Sequence, residues 1–111
     1  MLTELLIAAA SLPIVAAQPA PAGWQINGDR LDCTYEVANF VESVALVEQI
    51  VAPAEALGHH PDIAIAYNQV SLSLTTHDAG GLSELDYQLA EAISAIAADQ
   101  VPPLSCINLD E

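Results

Sequence analysis

Three histidines and a few acidic residues form the part of this sequence that could carry out proton transfer. The histidines are His59, His60 and His77. An imidazole exchanges protons near neutral pH because its ordinary pKa is about 6.5. Glu55 precedes His59 by four residues, so the two would share a helix face. Such a cluster could donate a proton to a leaving hydroxyl and take one from a nitrogen, which is the chemistry of water elimination.

Two hairpins and two helices are predicted to position these residues. Apolar and polar residues alternate over 24–36, with a turn signal at Asn27-Gly28, and again over 63–76, with a tight turn at Asn68-Gln69. Between the hairpins, apolar residues recur every three or four positions from 37 to 57, which predicts an amphipathic helix ended by Gly58. A second helical pattern follows Ser83, and Asp86 three residues later is typical of a capping box.

The predicted order of elements is α-β-β-α-β-β-α. This order predicts an α+β fold, a four-stranded antiparallel sheet with helices packed on one face. Residues 1–22 are interpreted as an N-terminal helix and an Ala/Pro-rich linker, residues 23–98 as the domain, and residues 99–111 as a C-terminal surface tail. We place the protein in the cytoplasm. Because Val15-Ala16-Ala17 resembles a cleavage site, an exported chain with a signal peptide is the alternative, although Glu4 stands where a cation is usual.

The predicted topology brings the polar residues to one end of the sheet. In a hairpin, the start of one strand lies beside the end of the other, so His77 is expected near His59 and His60. Asp86, at the start of the last helix, can reach the same end. Trp24 and Tyr67 are expected in the core rather than in a binding site.

Charge and cysteine content exclude several classes of function. The chain has 111 residues with one cation, Arg30, against 15 acids, a net charge of -14. Nucleic acids and anionic membranes are bound by clustered cations, so neither is an expected partner. The chain has no lysine for covalent catalysis. The acidic surface is consistent with adaptation to high salt or with drift in an Ala-rich protein. Cys33 in a strand and Cys106 in the tail are not expected to form a disulfide.

A metal site is the main alternative use of the histidines. His59, His77 and either Asp62 or Asp78 could form a three-ligand set. The chain lacks a spacing such as HExxH, which favours acid/base chemistry over metal binding, and Asp62 and Asp78 are more simply read as a cap and a turn residue. Gly80-Gly81 has no adjacent lysine or serine and does not indicate a phosphate loop.

The joint pattern resembles the pterin-4a-carbinolamine dehydratases. The resemblance covers residues 24–97 well and residues 2–12 loosely. It is carried by Gly23-Trp24, by a helix that contains Phe40, and by three later segments: Glu55-Ala-Leu-Gly-His59-His60-Pro61-Asp62, Tyr67-Asn68, and Leu74-Thr-Thr-His77-Asp78-Ala-Gly80-Gly81-Leu82-Ser83-Glu84 with Asp86. Three departures are the Ala/Pro-rich insertion at 13–22, Ile63 in place of a tryptophan, and Leu85 in place of a polar residue.

This resemblance implies dehydration of 4a-hydroxytetrahydropterin to quinonoid dihydropterin, which recycles the cofactor of aromatic amino acid hydroxylases. It implies dimers that join sheets, often paired into tetramers, and no metal or bound cofactor, because the pterin is the substrate. It makes His59, His60 and His77 the catalytic residues. The predicted substrate-binding residues are Glu55, Asp62, Thr76 and Asp86. A non-catalytic interaction or assembly protein is the alternative, which the complete set of histidines disfavours.

Overall fold

A computed structural model describes residues 18–107. The N-terminal helix predicted at the start of residues 1–22 and the cleavage-like segment Val15-Ala16-Ala17 lie outside these residues. The described elements are β1 (Gln25–Asn27), β2 (Arg30–Glu36), α1 (Phe40–Leu57), β3 (Asp62–Ala66), β4 (Gln69–Leu74), a single helical turn (His77–Ala79) and α2 (Glu84–Ala98). The strands form one antiparallel sheet in the order β1-β2-β4-β3. The predicted α+β fold is confirmed.

The two hairpins differ in how well the sequence predicted their turns. Asn27 pairs with Arg30, so the first turn contains Gly28 with a φ of 63°, as the turn signal predicted. Ala66 pairs with Gln69, so the second turn is Tyr67-Asn68, one residue earlier than predicted. Tyr67 therefore has a positive φ of 53° and is 65% exposed, and the prediction that it lies in the core was wrong.

Helix α1 is limited by a cap at each end. It begins at Phe40 rather than at residue 37 because the side chain of Asn39 accepts a hydrogen bond from the Glu42 amide at 2.9 Å. It ends at Gly58, which has a φ of 62° and donates its N–H to the carbonyls of Ala54 and Glu55. A left-handed residue reverses the direction of the chain, so the residues that follow leave the helix axis.

The core lies between one face of the sheet and the two helices. Alternate residues of β2 and β4 point into it, and they meet apolar residues of both helices. The most deeply buried members are Leu31, Tyr35, Val70, Leu72, Leu74, Leu46, Ile50, Leu89 and Ile93. Trp24 is also buried, as predicted, and its indole N–H donates to Ser94 at 3.0 Å. This packing fixes α2 against the sheet and therefore fixes where α2 begins.

The opposite face of the sheet is polar and carries Arg30. The Arg30 Nη2 atom lies 2.7 Å from the Asp62 carboxylate on β3, and its Nε donates to Ser73 on β4 at 2.6 Å. Ser73 in turn donates to Asp32 on β2. The side chain of Arg30 thus connects the three strands β2, β4 and β3.

The C-terminal tail contradicts the sequence prediction, because Cys33 and Cys106 form a disulfide with their Cα atoms 5.3 Å apart. The pairing of β1 with β2 extends only to Asp32, which leaves the next part of that edge of β2 free. The tail occupies this edge, where the Ile107 N–H donates to the Thr34 carbonyl at 2.7 Å. Cys106 is thereby placed next to Cys33.

Candidate active site

One cleft at the end of the sheet contains all three histidines. Its volume is about 260 Å³, and its lining residues are Gly58, His59, His60, Thr75, Thr76, His77 and Asp78. They come from the end of α1, the loop into β3, and the loop after β4. A larger groove of about 360 Å³ lies between the start of α1 and the tail, and no histidine lines it. The structure thus brings the histidines together as the topology predicted, and the smaller cleft is the candidate active site.

His59 is bound to a buried carboxylate. Its Nε2 atom lies 2.6 Å from Oδ1 of Asp86, and the two side chains are 12% and 0% exposed. The other oxygen of Asp86 accepts hydrogen bonds from the Thr76 hydroxyl at 2.6 Å and from the Ser83 amide at 2.9 Å. A carboxylate without access to water is costly unless donors surround it, and three donors surround this one.

The hydrogen bonds behind Asp86 have a defined direction. Thr76 has one hydroxyl proton, and it is donated to Asp86. The 2.7 Å contact between Ser83 Oγ and Thr76 Oγ1 therefore has Ser83 as its donor, and Ser83 Oγ accepts from the Leu85 amide. An ionised Asp86 accepts through both oxygens, so Nε2 of His59 carries the proton in their hydrogen bond. Nδ1 is the ring nitrogen of His59 that Asp86 does not engage.

His60 is bound to a carboxylate of a different kind. Its Nε2 atom lies 2.7 Å from Glu55, and these side chains are 63% and 68% exposed. The sequence predicted that Glu55 shares a helix face with His59, but the left-handed Gly58 turns His59 inward and leaves His60 beside Glu55. Water screens an exposed pair of this kind, which is typically worth less than about 1 kcal/mol.

His77 lies on a short loop at the rim of the cleft. The loop is closed by two backbone hydrogen bonds between Thr76 and Gly81, at 3.1 and 3.3 Å. Inside it, Gly80 has a φ of 76° and donates its N–H to the His77 carbonyl. Neighbouring Thr75 donates its hydroxyl to the Asp29 carbonyl at 2.7 Å, which ties the loop to the first hairpin. His77 itself is exposed.

The predicted substrate-binding residues fall in different places. Asp62 is held by Arg30 on the polar face of the sheet and is not among the residues that line the cleft. Thr76 lines the cleft, but its hydroxyl is committed to Asp86 and Ser83. Sequence reasoning missed the role of Ser83 behind the site, although the capping box had already paired it with Asp86. Among residues 18–107, no three His, Cys, Asp or Glu side chains are grouped as a metal ion requires.

Over the described part of the chain, no helix combines the length and apolar character needed to cross a membrane.

Comparison with known proteins identifies one family. The family described as Pterin 4 alpha carbinolamine dehydratase matches residues 8–96. A protein of Trichormus variabilis that carries a provisional name as a pterin-4-alpha-carbinolamine dehydratase is 49% identical over 75 residues, which are 68% of this chain and 81% of that protein. A Chloroflexus aurantiacus protein with the same provisional name is 51% identical over 73 residues, 66% of this chain and 78% of its own.

Two solved structures are also similar. The crystal structure of a transcriptional coactivator/pterin dehydratase from Brucella melitensis has a TM-score of 0.64 and 30% identity, and the match covers 86% of this chain and 92% of that one. A pterin dehydratase-like protein identified as a RuBisCO assembly factor in the alpha-carboxysome has a TM-score of 0.55, and the match covers 69% of this chain and 89% of that one. At 20% identity, this second likeness concerns the fold alone. From the extent of the sequence match and from the fold, the chain belongs to the pterin-4-alpha-carbinolamine dehydratase family.

Proposed function

We propose that this protein is a hydro-lyase that dehydrates 4a-hydroxytetrahydrobiopterin to quinonoid dihydropterin. The observation that carries the proposal is the meeting of three imidazoles in one cleft, one of them fixed by a fully buried carboxylate. A protein that used this fold only as a binding surface would not need such an arrangement. The family supplies the pterin as the substrate class.

The reaction needs two proton transfers. One proton is donated to the hydroxyl at the carbinolamine carbon, which leaves as water, and one is removed from a ring nitrogen as a carbon–nitrogen double bond forms. One histidine starts protonated and another ends protonated, so exchange between them or with water restores the enzyme. His59, His60 and His77 are the proposed donors and acceptors. The pterin is itself the substrate, and the proposal requires no metal and no bound cofactor.

Asp86 is proposed to position His59. Its hydrogen bond keeps the proton on Nε2, orients the ring, and balances the charge that the ring gains when Nδ1 accepts a proton. Thr76 and Ser83 hold the carboxylate in place from behind. Glu55 orients His60 from the surface, where the pair is more accessible to a ligand.

A second copy of the chain is the proposed partner of the edge strand. β3 lies at the border of the sheet, most of its residues are exposed, and Ile63 is 38% exposed on it. An edge strand offers unpaired backbone groups to a matching strand, so sheet-to-sheet pairing would give a dimer, and two dimers a tetramer. An aromatic amino acid hydroxylase is the proposed source of the substrate. Size-exclusion chromatography with light scattering tests the assembly.

The test of the activity is stopped-flow absorbance of 4a-hydroxytetrahydropterin breakdown at low and high salt. We expect acceleration over the spontaneous rate and its loss in the double variant His60→Ala/His77→Ala, with circular dichroism unchanged. Gln88→Ala, an exposed substitution on α2, is the control and keeps full turnover. If the folded wild type gives no acceleration at either salt concentration, the proposal fails and a non-catalytic interaction protein becomes the better description.

A further inference from the structure

We propose that Cys33 and Cys106 form a redox-sensitive staple that holds the C-terminal tail against the free edge of β2. The bond joins a strand of the central sheet to a segment 73 residues later in the chain. It lies at the β1 side of the sheet, and neither cysteine is among the residues that line the histidine cleft. The inference concerns folding and redox state and does not depend on the proposed function.

The tail is fitted to its place by contacts on either side of the disulfide. Before it, the Leu104 N–H donates to the Ala97 carbonyl at 2.9 Å, and after it Ile107 pairs with Thr34. A Cβ added to Gly23 would lie 3.1 Å from the Cβ of Cys106, so the half-cystine packs directly on the glycine backbone. The disulfide thus holds the tail against the part of the β2 edge that β1 is too short to cover.

The difference in burial determines which of the two cysteines reacts first when the disulfide forms. Cys33 is 4% exposed in the core, whereas Cys106 on the tail is only partly covered. In thiol–disulfide exchange, the Cys106 thiolate attacks an oxidant disulfide, releasing one thiol and forming a mixed disulfide. The Cys33 thiolate then displaces the second thiol. Two protein thiols lose two electrons and two protons, and the oxidant, a low-molecular-weight or protein disulfide, is reduced to two thiols.

Reduction would free the tail and expose the edge of β2 at Thr34. An unpaired strand edge favours association with other chains, so the reduced protein should also aggregate more readily.

Disulfides of this structural kind persist where thiols are oxidised and are rare in a reducing cytosol. The staple therefore weighs against the cytoplasmic location predicted from the sequence and favours an oxidising compartment.

The first test measures whether the bond forms in solution. The full chain is reduced, equilibrated with glutathione disulfide and glutathione at a series of ratios, quenched by thiol alkylation, and weighed by mass spectrometry. We expect no alkylated cysteine in the oxidising mixtures, two in the reducing ones, and a disulfide-linked peptide that contains Cys33 and Cys106. Two alkylated cysteines at every ratio, in protein that is folded by circular dichroism, would overturn the proposal.

The second test measures what the bond does. For a loop of 73 residues, closing the chain in the unfolded state is expected to raise the folded-to-unfolded ratio by about three orders of magnitude. Urea unfolding of the oxidised wild type should therefore have a higher midpoint than that of the reduced wild type and of Cys106→Ser. Hydrogen exchange at the Ile107 amide should become faster in both. The exposed neighbour Ser105→Ala is the control and should behave as wild type. Equal midpoints for oxidised and reduced protein would refute the stapling role.

Discussion

Asp86→Asn is the substitution that most directly tests how His59 is controlled. The Thr76 hydroxyl and the Ser83 amide both donate to the same oxygen of Asp86, so the single oxygen of an asparagine would take that side. Its NH₂ group would then face Nε2 of His59, where an acceptor is required. The proton of a neutral His59 would move to Nδ1, the nitrogen assigned to proton exchange. The variant thus keeps the shape of the site and reverses the tautomer.

The expected cost in turnover is large and the cost in stability is modest. An acid/base residue that carries its proton on the wrong nitrogen cannot contribute its usual factor of about 10²–10⁴ to the rate, and we expect turnover to fall within this range. All three charge-assisted hydrogen bonds of Asp86 become neutral ones, at about 1 kcal/mol each, and the relief of burying a charge offsets part of this loss. The free energy of unfolding should therefore fall by no more than about 2 kcal/mol.

The assay combines stopped-flow turnover with nitrogen NMR of the histidine rings. Glu55→Gln is the matched control, because it makes the same chemical change in a carboxylate that is 68% exposed beside His60. Its unfolding free energy should change by less than about 1 kcal/mol. Retention of the proton on Nε2 of His59 in Asp86→Asn, or turnover close to that of wild type, would show that the buried carboxylate does not set the tautomer.

Three further substitutions test the backbone and the core. Gly58→Ala and Gly28→Ala both place a side chain at a φ near +60° with no atom within 4 Å of the new Cβ. Each should therefore lower the free energy of unfolding in urea by about 1 kcal/mol, the cost of a left-handed backbone for a residue with a side chain. Only Gly58→Ala should also slow turnover, since His59 and His60 follow it, and equal turnover in both variants would contradict this placement. Burial raises the pKa of Tyr35 above its ordinary value of 10.0, and hydrogen bonds with Ser94 and Trp24 oppose this rise only in part. The neutral phenol therefore contributes in full to the free energy of unfolding below pH 10.0, and this contribution is lost as the pH rises through the folded-state pKa. Tyr35→Phe should reduce this alkaline loss, and an unchanged pH dependence of unfolding would refute the assignment.

The sequence predicted the elements that have a local cause. Strand β2 follows from the alternation of Leu31, Cys33 and Tyr35, and the end of α1 follows from Gly58, because periodicity and left-handed glycine are properties of short segments. The convergence of His77 on His59 followed from hairpin geometry, which is equally local. These features depend on few distant contacts and were therefore predictable.

The features that sequence reasoning missed depend on contacts between distant segments. The position of Tyr67 changed because strand register, set by the pairing of whole strands, moved the turn by one residue. The disulfide depends on the tail returning to β2, and nothing near Cys106 in the sequence indicates that return. The hydrogen bond between Asp86 and His59 joins residues 27 positions apart, and the complete burial of Asp86 follows only from how the end of α1 packs against the loop after β4 and the start of α2.

Arg30, the single cationic side chain, determines where trypsin can cut this protein. Trypsin cuts after lysine or arginine, so the bond after Arg30 is the one tryptic bond in the chain. That bond lies in β2, which is paired on both sides at this point, and Leu31 beyond it is fully buried. A protease needs an extended and accessible segment, so cleavage would report the rate or population of sheet opening as a single cut. The products would be residues 1–30 and 31–111, with both cysteines on the larger fragment. Amine-reactive dyes, in the absence of lysine, would label the chain only at its N-terminus.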